Sequence, residues 1–296
     1  MLILAPAKLN LTLDIVGRRP DGYHLMEMVM QAVDLFDRII LERSESFCFC
    51  CHAGVSAAPQ DERNLADRAA RAFCAHTGAP MEGFSIRLEK AIPSGAGMGG
   101  GSADAAGVLA GLNRLFGTGL PLSELCAIGE TVGADVPFCL TGGTALVEGI
   151  GERITPLSPF PHCWFVTAKP DFSIDTGEAF ARFDRGEIVA RPDTEGMCAA
   201  ICCGDLRRAA HFLGNVFTPI AQLAGDGTIL TDLCERMRAA GALGAEMTGS
   251  GSAVFGVFPS AAEAERCRDK LAQEGLWARV CQPIADGPQI FETEME

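Results

Sequence analysis

The stretch IPSGAGMGGGSADAAG, residues 92–107, holds six glycines (Gly95, Gly97, Gly99, Gly100, Gly101 and Gly107) among small residues. Glycine gives up conformational entropy and side-chain packing, so such a cluster marks a place where the backbone turns sharply or approaches a ligand closely. FSIRLEKAI, just before it, alternates as a strand. After Ser102, the residues Val108, Leu109, Leu112, Leu115 and Phe116 fall on one helical face, and Gly117 stops the helix. The loop therefore joins a strand to a helix whose N-terminus points back at it. Its backbone N–H groups and the helix dipole make an anion cradle, and phosphate is the leading ligand.

Two common phosphate loops fit poorly. GxGxxG is present through Gly95, Gly97 and Gly100, but the acidic strand end expected about 20 residues later falls in the loop and helix TGLPLSELC. No Gly-Lys-Ser/Thr closes the loop as a Walker A motif requires. The cradle must also be built locally. With 24 basic residues against 38 acidic, the net charge is −14, which argues against general affinity for nucleic acid or an anionic membrane. No apolar run reaches membrane-span length, and MLILAPAKLN reverses the charge order of a secretion signal, so a cytoplasmic protein is expected. The 13 cysteines are odd in number and mostly scattered in apolar stretches, which favours reduced core thiols. In FCFCCH a strand puts Cys48 and Cys50 on one face and Cys51 on the other, with no second Cys/His pair at zinc spacing nearby.

The rest of the chain reads as mixed α/β, and 296 residues at 48% hydrophobic content suffice for two domains. LNLTLDIV alternates strictly, with Leu9, Leu11, Leu13 and Ile15 opposite Asn10, Thr12 and Asp14, the pattern of a half-buried strand. RRPDGYH is a turn before strand-like runs at MVMQAV and RIILE. NLADRAARAFCAHTG is helical with a stop at Gly78, and LSELCAIGETVG is a further helix. The proline-rich ITPLSPFPHC reads as a linker, dividing the chain into domains 1–157 and 158–296. Near the C-terminus, MTGSGSAVFGVF, SAAEAERCRDKLAQEG and WARVCQPI read as strand, helix, strand.

Three segments together, APAKLNL, PSGAGMGGGSADAA and MTGSGSAVF, resemble in type and order the signature segments of the GHMP kinases, the family of galactokinase and the homoserine, mevalonate and phosphomevalonate kinases. Ala96, Met98 and Ala103 depart from the usual pattern, and Ala103 leaves Ser102 as the sole hydroxyl of its pair. The resemblance implies a two-domain α/β (α+β type) fold: an N-terminal ATP-binding domain with the glycine-rich phosphate loop, then a C-terminal ferredoxin-like α/β domain, with the active site between them. Further segments, APAKLNLTLDIVGRRPDGYH, NLADRAA, GADVPFCLTGGTALVEGIGE and TGSGSAVF, resemble the branch that phosphorylates the 2-hydroxyl of a cytidine-diphosphate sugar alcohol in isoprenoid precursor synthesis. The alternatives are another member of the family, of homoserine or mevalonate type, and a non-catalytic ATP-binding regulator.

By that resemblance Asp135 is the catalytic carboxylate and Lys8 its cationic neighbour, which keeps it ionised and lowers the cost of alkoxide charge. ATP would be held by Asn64 and Lys90 on the adenine side and by Pro93, Gly95, Gly97, Gly99, Gly100, Gly101 and Ser102. Asp104 either supports Mg²⁺ with Ser102 through water or simply favours the helix dipole, and no direct metal ligand is assigned. Asn10, Tyr23, His24, Phe180 and Thr248 would form the acceptor site, with Tyr23 and Phe180 on opposite sides of the cytosine. The implied partners are small molecules, with neither nucleic acid nor membrane, on a monomer or homodimer.

Overall fold

The structure is a computed structural model that describes residues 1–52, 59, 61–186, 191–223 and 227–292. In the first half β1 (Leu2–Arg18), β2 (His24–Arg43), β3 (Cys48–His52), α1 (Leu65–Thr77), β4 (Phe84–Glu89), α2 (Gly100–Phe116), α3 (Leu122–Val132), α4 (Val136–Thr141), β5 (Thr144–Gly149) and β6 (Arg153–Pro156) follow one another. The second half continues with β7 (Trp164–Lys169), α5 (Thr176–Asp184), α6 (Thr194–Cys202), α7 (Leu206–His211), β8 (Gly214–Asn215), α8 (Phe217–Leu223), α9 (Gly227–Ala239), β9 (Gly244–Met247), β10 (Val254–Phe258), α10 (Ala261–Gln273), β11 (Trp277–Cys281) and β12 (Gln289–Phe291).

The first sheet runs β12-β1-β2-β4-β3, with β5 added along β2, β6 along β5 and β8 along β1. The two strand-like runs expected after the RRPDGYH turn are one strand of 20 residues. The polar residues that interrupt their apolar pattern stay in the strand because each is hydrogen-bonded: Gln31 to Ala32, Ile284 and Thr144, Asp34 to the Gln282 N–H, and Asp37 to the loop ahead of α2. Three register shifts between β1 and β2 let so long a hairpin twist. The polar face of β1 is not solvated either. Asn10, Thr12 and Asp14 are buried, the Asn10 N–H donating to Thr248, the Thr12 hydroxyl accepting from the Val29 N–H, and Asp14 accepting from Arg191. A half-buried strand was the reading from alternation; the second half of the chain covers the face that would have met water.

The second sheet is antiparallel in the order β11-β7-β10-β9. With helices between β7 and β9 and α10 between β10 and β11, this is the ferredoxin-like arrangement. At the crossing from one sheet to the other, Arg153–Pro156 pairs with β5 and Phe160 and Cys163 are buried, while Ser158, Pro159 and His162 are exposed. The chain also returns, since Gln289–Phe291 pairs with Leu2–Leu4. One buried cluster joins Leu9 and Leu11 to Phe165 and Phe255, and a second joins Leu13 and Met28 to Val166 and Met247. Apolar burial thus runs through both halves and fixes their relation.

The helix after the glycine loop lies on β1 and β2. A Cβ at Gly107 or Gly111 would run into Ile39 and Ile3, so these two glycines bring helix and sheet together. Among the described residues, no helix is long and apolar enough to cross a membrane.

Candidate active site

Gly95, Gly97 and Gly99 have φ of 63°, 73° and 69°, the left-handed region, at every second position of the loop. Such alternation turns successive N–H groups toward one side and forms an anion-binding concavity. Gly99 is also the N-cap of α2, where no side chain caps the helix and no acidic residue lies in its first turn. The first N–H groups of the helix are left to a ligand, and the positive end of the dipole is not offset.

Two cavities meet at this loop. One, of about 310 Å³, is lined by Arg63, Asn64, Lys90 and the loop from Ile92 to Ser102, with Asp104 at its floor. The other, of about 370 Å³, is lined by Lys8, Asn10, Met26, Met28, Asp135, Ile174, Thr176, Phe180, Phe217 and the turn Gly249–Gly251. Gly95, Gly97, Gly99 and Ser102 line both. A group held by those residues is therefore reachable from either side.

On the second side, Lys8 Nζ lies 3.6 Å from Asp135 Oδ2 and donates to Asn10 Oδ1 at 2.5 Å. Lys8 is buried and Asp135 partly open to the cavity. Asp135 is the N-cap of α4 but makes no side-chain capping bond, so its carboxylate is turned to the cavity rather than to its own helix. The Lys8 stem lies against the loop, because a Cβ on Gly99 would stand 2.8 Å from its Cγ. The Thr248 N–H donates to Ala253, and the Thr248 hydroxyl reaches Gly97 O at 3.2 Å. The N–H groups of Ser252 and Ala253 donate to Gly95 and Ala96 carbonyls. The C-terminal glycine turn is thereby laid on the phosphate loop backbone to backbone. Asn215 secures it from below, its side-chain amide donating to the Met247 and Gly249 carbonyls.

On the first side, Asn64 is occupied with its own segment: Oδ1 accepts from the Ala66 N–H as the cap of α1, and Nδ2 donates to Pro59 O. The Lys90 ammonium is shared between Asp37 and Asp104, and all three are buried. Burial alone would lower the Lys90 ammonium, but the two carboxylates outweigh it and raise it. Burial, with Asp37 adding to it, pushes the Asp104 carboxyl well up despite Lys90. Asp104 Oδ1 is buried with no hydrogen-bond partner among the described residues.

The aromatic acceptor residues sit differently from the expected sandwich. His24 stacks directly on Phe180, with ring centroids 4.7 Å apart, and its Nε2 is 2.7 Å from Asp184 Oδ1. Phe180 lines the second cavity while neither Tyr23 nor His24 does, and Tyr23 is 61% exposed beside Arg19. The structure thus unites Lys8, Asn10, Asp135, Thr248 and the loop, places Phe180 in the same cavity, and leaves Tyr23 at the hairpin tip. Asp37, Asp184 and Asn215 were missed by reading the sequence. Asp37 alone carried a signal, as a charge inside the apolar run AVDLFDRII.

Known proteins match the chain along most of its length. Residues 64–143 match the GHMP kinases N terminal domain and residues 199–275 the GHMP kinases C terminal domain. The 4-diphosphocytidyl-2-C-methyl-D-erythritol kinases of Clostridium tetani and Symbiobacterium thermophilum are each 44% identical to the chain, over 92% of it and 95% of their own lengths. A solved 4-(cytidine 5'-diphospho)-2C-methyl-D-erythritol kinase superposes with a TM-score of 0.79 at 35% identity, covering 95% of this chain and 99% of its own. A homoserine kinase from Cytophaga hutchinsonii shares the fold, with a TM-score of 0.74 at 19% identity over 98% of this chain and 97% of its own. With both domain models matched in order and full-length relatives at this identity, the chain belongs to the GHMP kinase family.

Proposed function

We propose that the protein transfers the γ-phosphoryl group of ATP to the 2-hydroxyl of 4-diphosphocytidyl-2-C-methyl-D-erythritol, a step of the non-mevalonate route to isoprenoid precursors. The observation that carries the reading is the sharing of Gly95, Gly97, Gly99 and Ser102 by two cavities, with the Lys8 and Asp135 pair on one side only. ATP takes the cavity of Asn64 and Lys90, and its terminal phosphate lies in the loop. The acceptor takes the other cavity, with its sugar hydroxyl toward Asp135.

Transfer needs the acceptor oxygen in line with the phosphorus and its proton removed as the bond forms. The Asp135 carboxylate accepts or steers that proton. The Lys8 ammonium, fixed by Asn10 and by the loop against its stem, stabilises the negative charge that develops as transfer proceeds. The half-apolar wall of Met26, Met28, Ile174 and Phe217 excludes water that would otherwise compete for the phosphoryl group.

Where Mg²⁺ is bound with the nucleotide, Ser102 would supply a hydroxyl at the junction of the cavities, while the Asp104 carboxylate, buried and bonded to Lys90, offers no open oxygen. When bound, the ion neutralises phosphate charge.

The test is ATP consumption by the purified protein with the cytidyl acceptor, homoserine and mevalonate in parallel. Turnover with the cytidyl acceptor alone is expected. Turnover with either other acceptor instead reassigns the enzyme within its family, and none with any acceptor supports a non-catalytic role.

A further inference from the structure

Asp37 stands on β2, fully buried and lining neither cavity, and its carboxylate takes its hydrogen bonds from outside its own strand. Its Oδ1 accepts the N–H groups of Ala91 and Ile92 at 2.6 and 2.9 Å. These are the two residues that lead from β4 into the glycine loop. Its Oδ2 takes the Lys90 ammonium, which also bonds Asp104 Oδ2 at 2.5 Å.

The donors are unequally divided. Asp37 receives three, while Asp104, which lines the nucleotide cavity, receives one and has its Oδ1 buried without a partner among the described residues. By sharing the Lys90 ammonium with Asp104, Asp37 helps to fix a side chain that lines the nucleotide cavity. By holding Ala91 and Ile92, it fixes where the loop begins.

We propose that Asp37 is a positioning residue for nucleotide binding: it sets the entry of the phosphate loop and, with Asp104, holds in place the Lys90 side chain that lines the nucleotide cavity. It touches neither reactant. The inference rests on the assignment of ATP to the cavity of Asn64 and Lys90, and it separates that cavity from the acceptor side. An effect through Asp37 belongs to ATP and not to the acceptor.

The experiment compares the parent with Asp37→Asn and Asp37→Ala. Asparagine retains an acceptor oxygen for Ala91 and Ile92 but not the charge that helps to hold Lys90; alanine removes both. Affinity for ATP with Mg²⁺ is measured by calorimetry without acceptor, the acceptor KM at saturating ATP, and folding by thermal unfolding. The expected result is an ATP Kd raised about tenfold in Asp37→Asn and more in Asp37→Ala, the size of one or two charged hydrogen bonds, with the acceptor KM moved less than about twofold. An unchanged ATP Kd in a folded Asp37→Asn, or an acceptor KM that rises as much as the ATP Kd, overturns the proposal. Hydrogen exchange on the parent keeps the test open should neither variant fold: ATP is expected to slow exchange at the Ala91 and Ile92 amides, and no slowing there overturns it. A parent that fails to bind ATP at all defeats the placement of the nucleotide itself, an outcome distinct from any difference between parent and variant.

Discussion

Gly97 and Thr248, 151 residues apart, are in backbone contact: a Cβ on Gly97 would lie 3.0 Å from the carbonyl carbon of Thr248 and closer still to its oxygen. The relation is mutual, since a Cβ on Gly249 would stand 2.8 Å from Gly97 O. Two glycine turns, one from each half of the chain, are pressed together. The bareness of this part of the loop thus serves the union of the halves as much as the approach of phosphate.

Gly97→Ala is accordingly expected to destabilise the protein by about 1–3 kcal/mol, from the left-handed φ of 73° and the collision together, and to weaken ATP binding as the loop shifts. Gly101→Ala is the contrast, since that glycine has no positive φ and its Cβ would meet only Leu65, at 3.3 Å. Thermal unfolding of the two variants decides the matter. A Gly97→Ala protein as stable as Gly101→Ala would show that the turns separate freely.

How much of this was legible beforehand follows from where each signal is stored. The strand, glycine loop and helix over residues 84–117 could be read directly, because periodicity and turn residues are local. So could the ends of α1 and α2, where Gly78 and Gly117 have φ of 75° and 62°. The burial of Asn10, Thr12 and Asp14 could not, because their partners Thr248, Val29 and Arg191 are distant in sequence. Asn64 differs, because its partners Ala66 and Pro59 are close in sequence and an asparagine ahead of a helical run is itself a capping signal. Tyr23 gave no sign that His24 would occupy the face of Phe180, since Phe180 is distant in sequence.

The thiols give a prediction on protein chemistry. Burial pushes Cys163 and Cys234 up to about 12, while Cys48, Cys202 and Cys203 are exposed. Since the thiolate is the nucleophile, iodoacetamide at about pH 8 is expected to label the exposed three first and to spare Cys163 and Cys234 until denaturant is added. Mass spectrometry of a labelling time course reads the order. Early labelling of Cys163 would contradict its burial at the crossing between sheets.

The stack of His24 on Phe180 alters what the acceptor-side variants should do. For a base to lie against Phe180 on the His24 face, His24 must swing away from Phe180, and its bond to Asp184 is the contact that resists. Tyr23→Ala is expected to raise the acceptor KM about tenfold to a hundredfold if the hairpin tip folds over the base, the range of one stacking contact. Asp184→Asn would weaken the hold on His24 and is expected to alter the acceptor KM while leaving the ATP KM in place. Steady-state kinetics in both substrates measures this. An acceptor KM at the parent value in Tyr23→Ala would keep the cytosine off Tyr23 and leave Phe180 as its aromatic contact.

Lys8 and Asp135 are the pair on which catalysis is expected to turn. At 3.6 Å the two form an ion pair, with Lys8 buried and Asp135 partly open to the cavity. Lys8→Met keeps the aliphatic stem that packs on Gly99, and Asp135→Asn keeps shape without charge, so neither should disturb the loop. Each is expected to lower kcat by about a hundredfold or more with little change in the Kd for ATP, because the lost interaction is made chiefly in the transition state. If the two act as a unit, the double variant should be scarcely slower than the worse single one. Single-turnover rates at saturating ATP and acceptor separate that step from product release. A near-parental rate in Asp135→Asn would remove the carboxylate from proton transfer, and multiplicative losses in the double variant would mean that lysine and carboxylate act on the phosphoryl group independently.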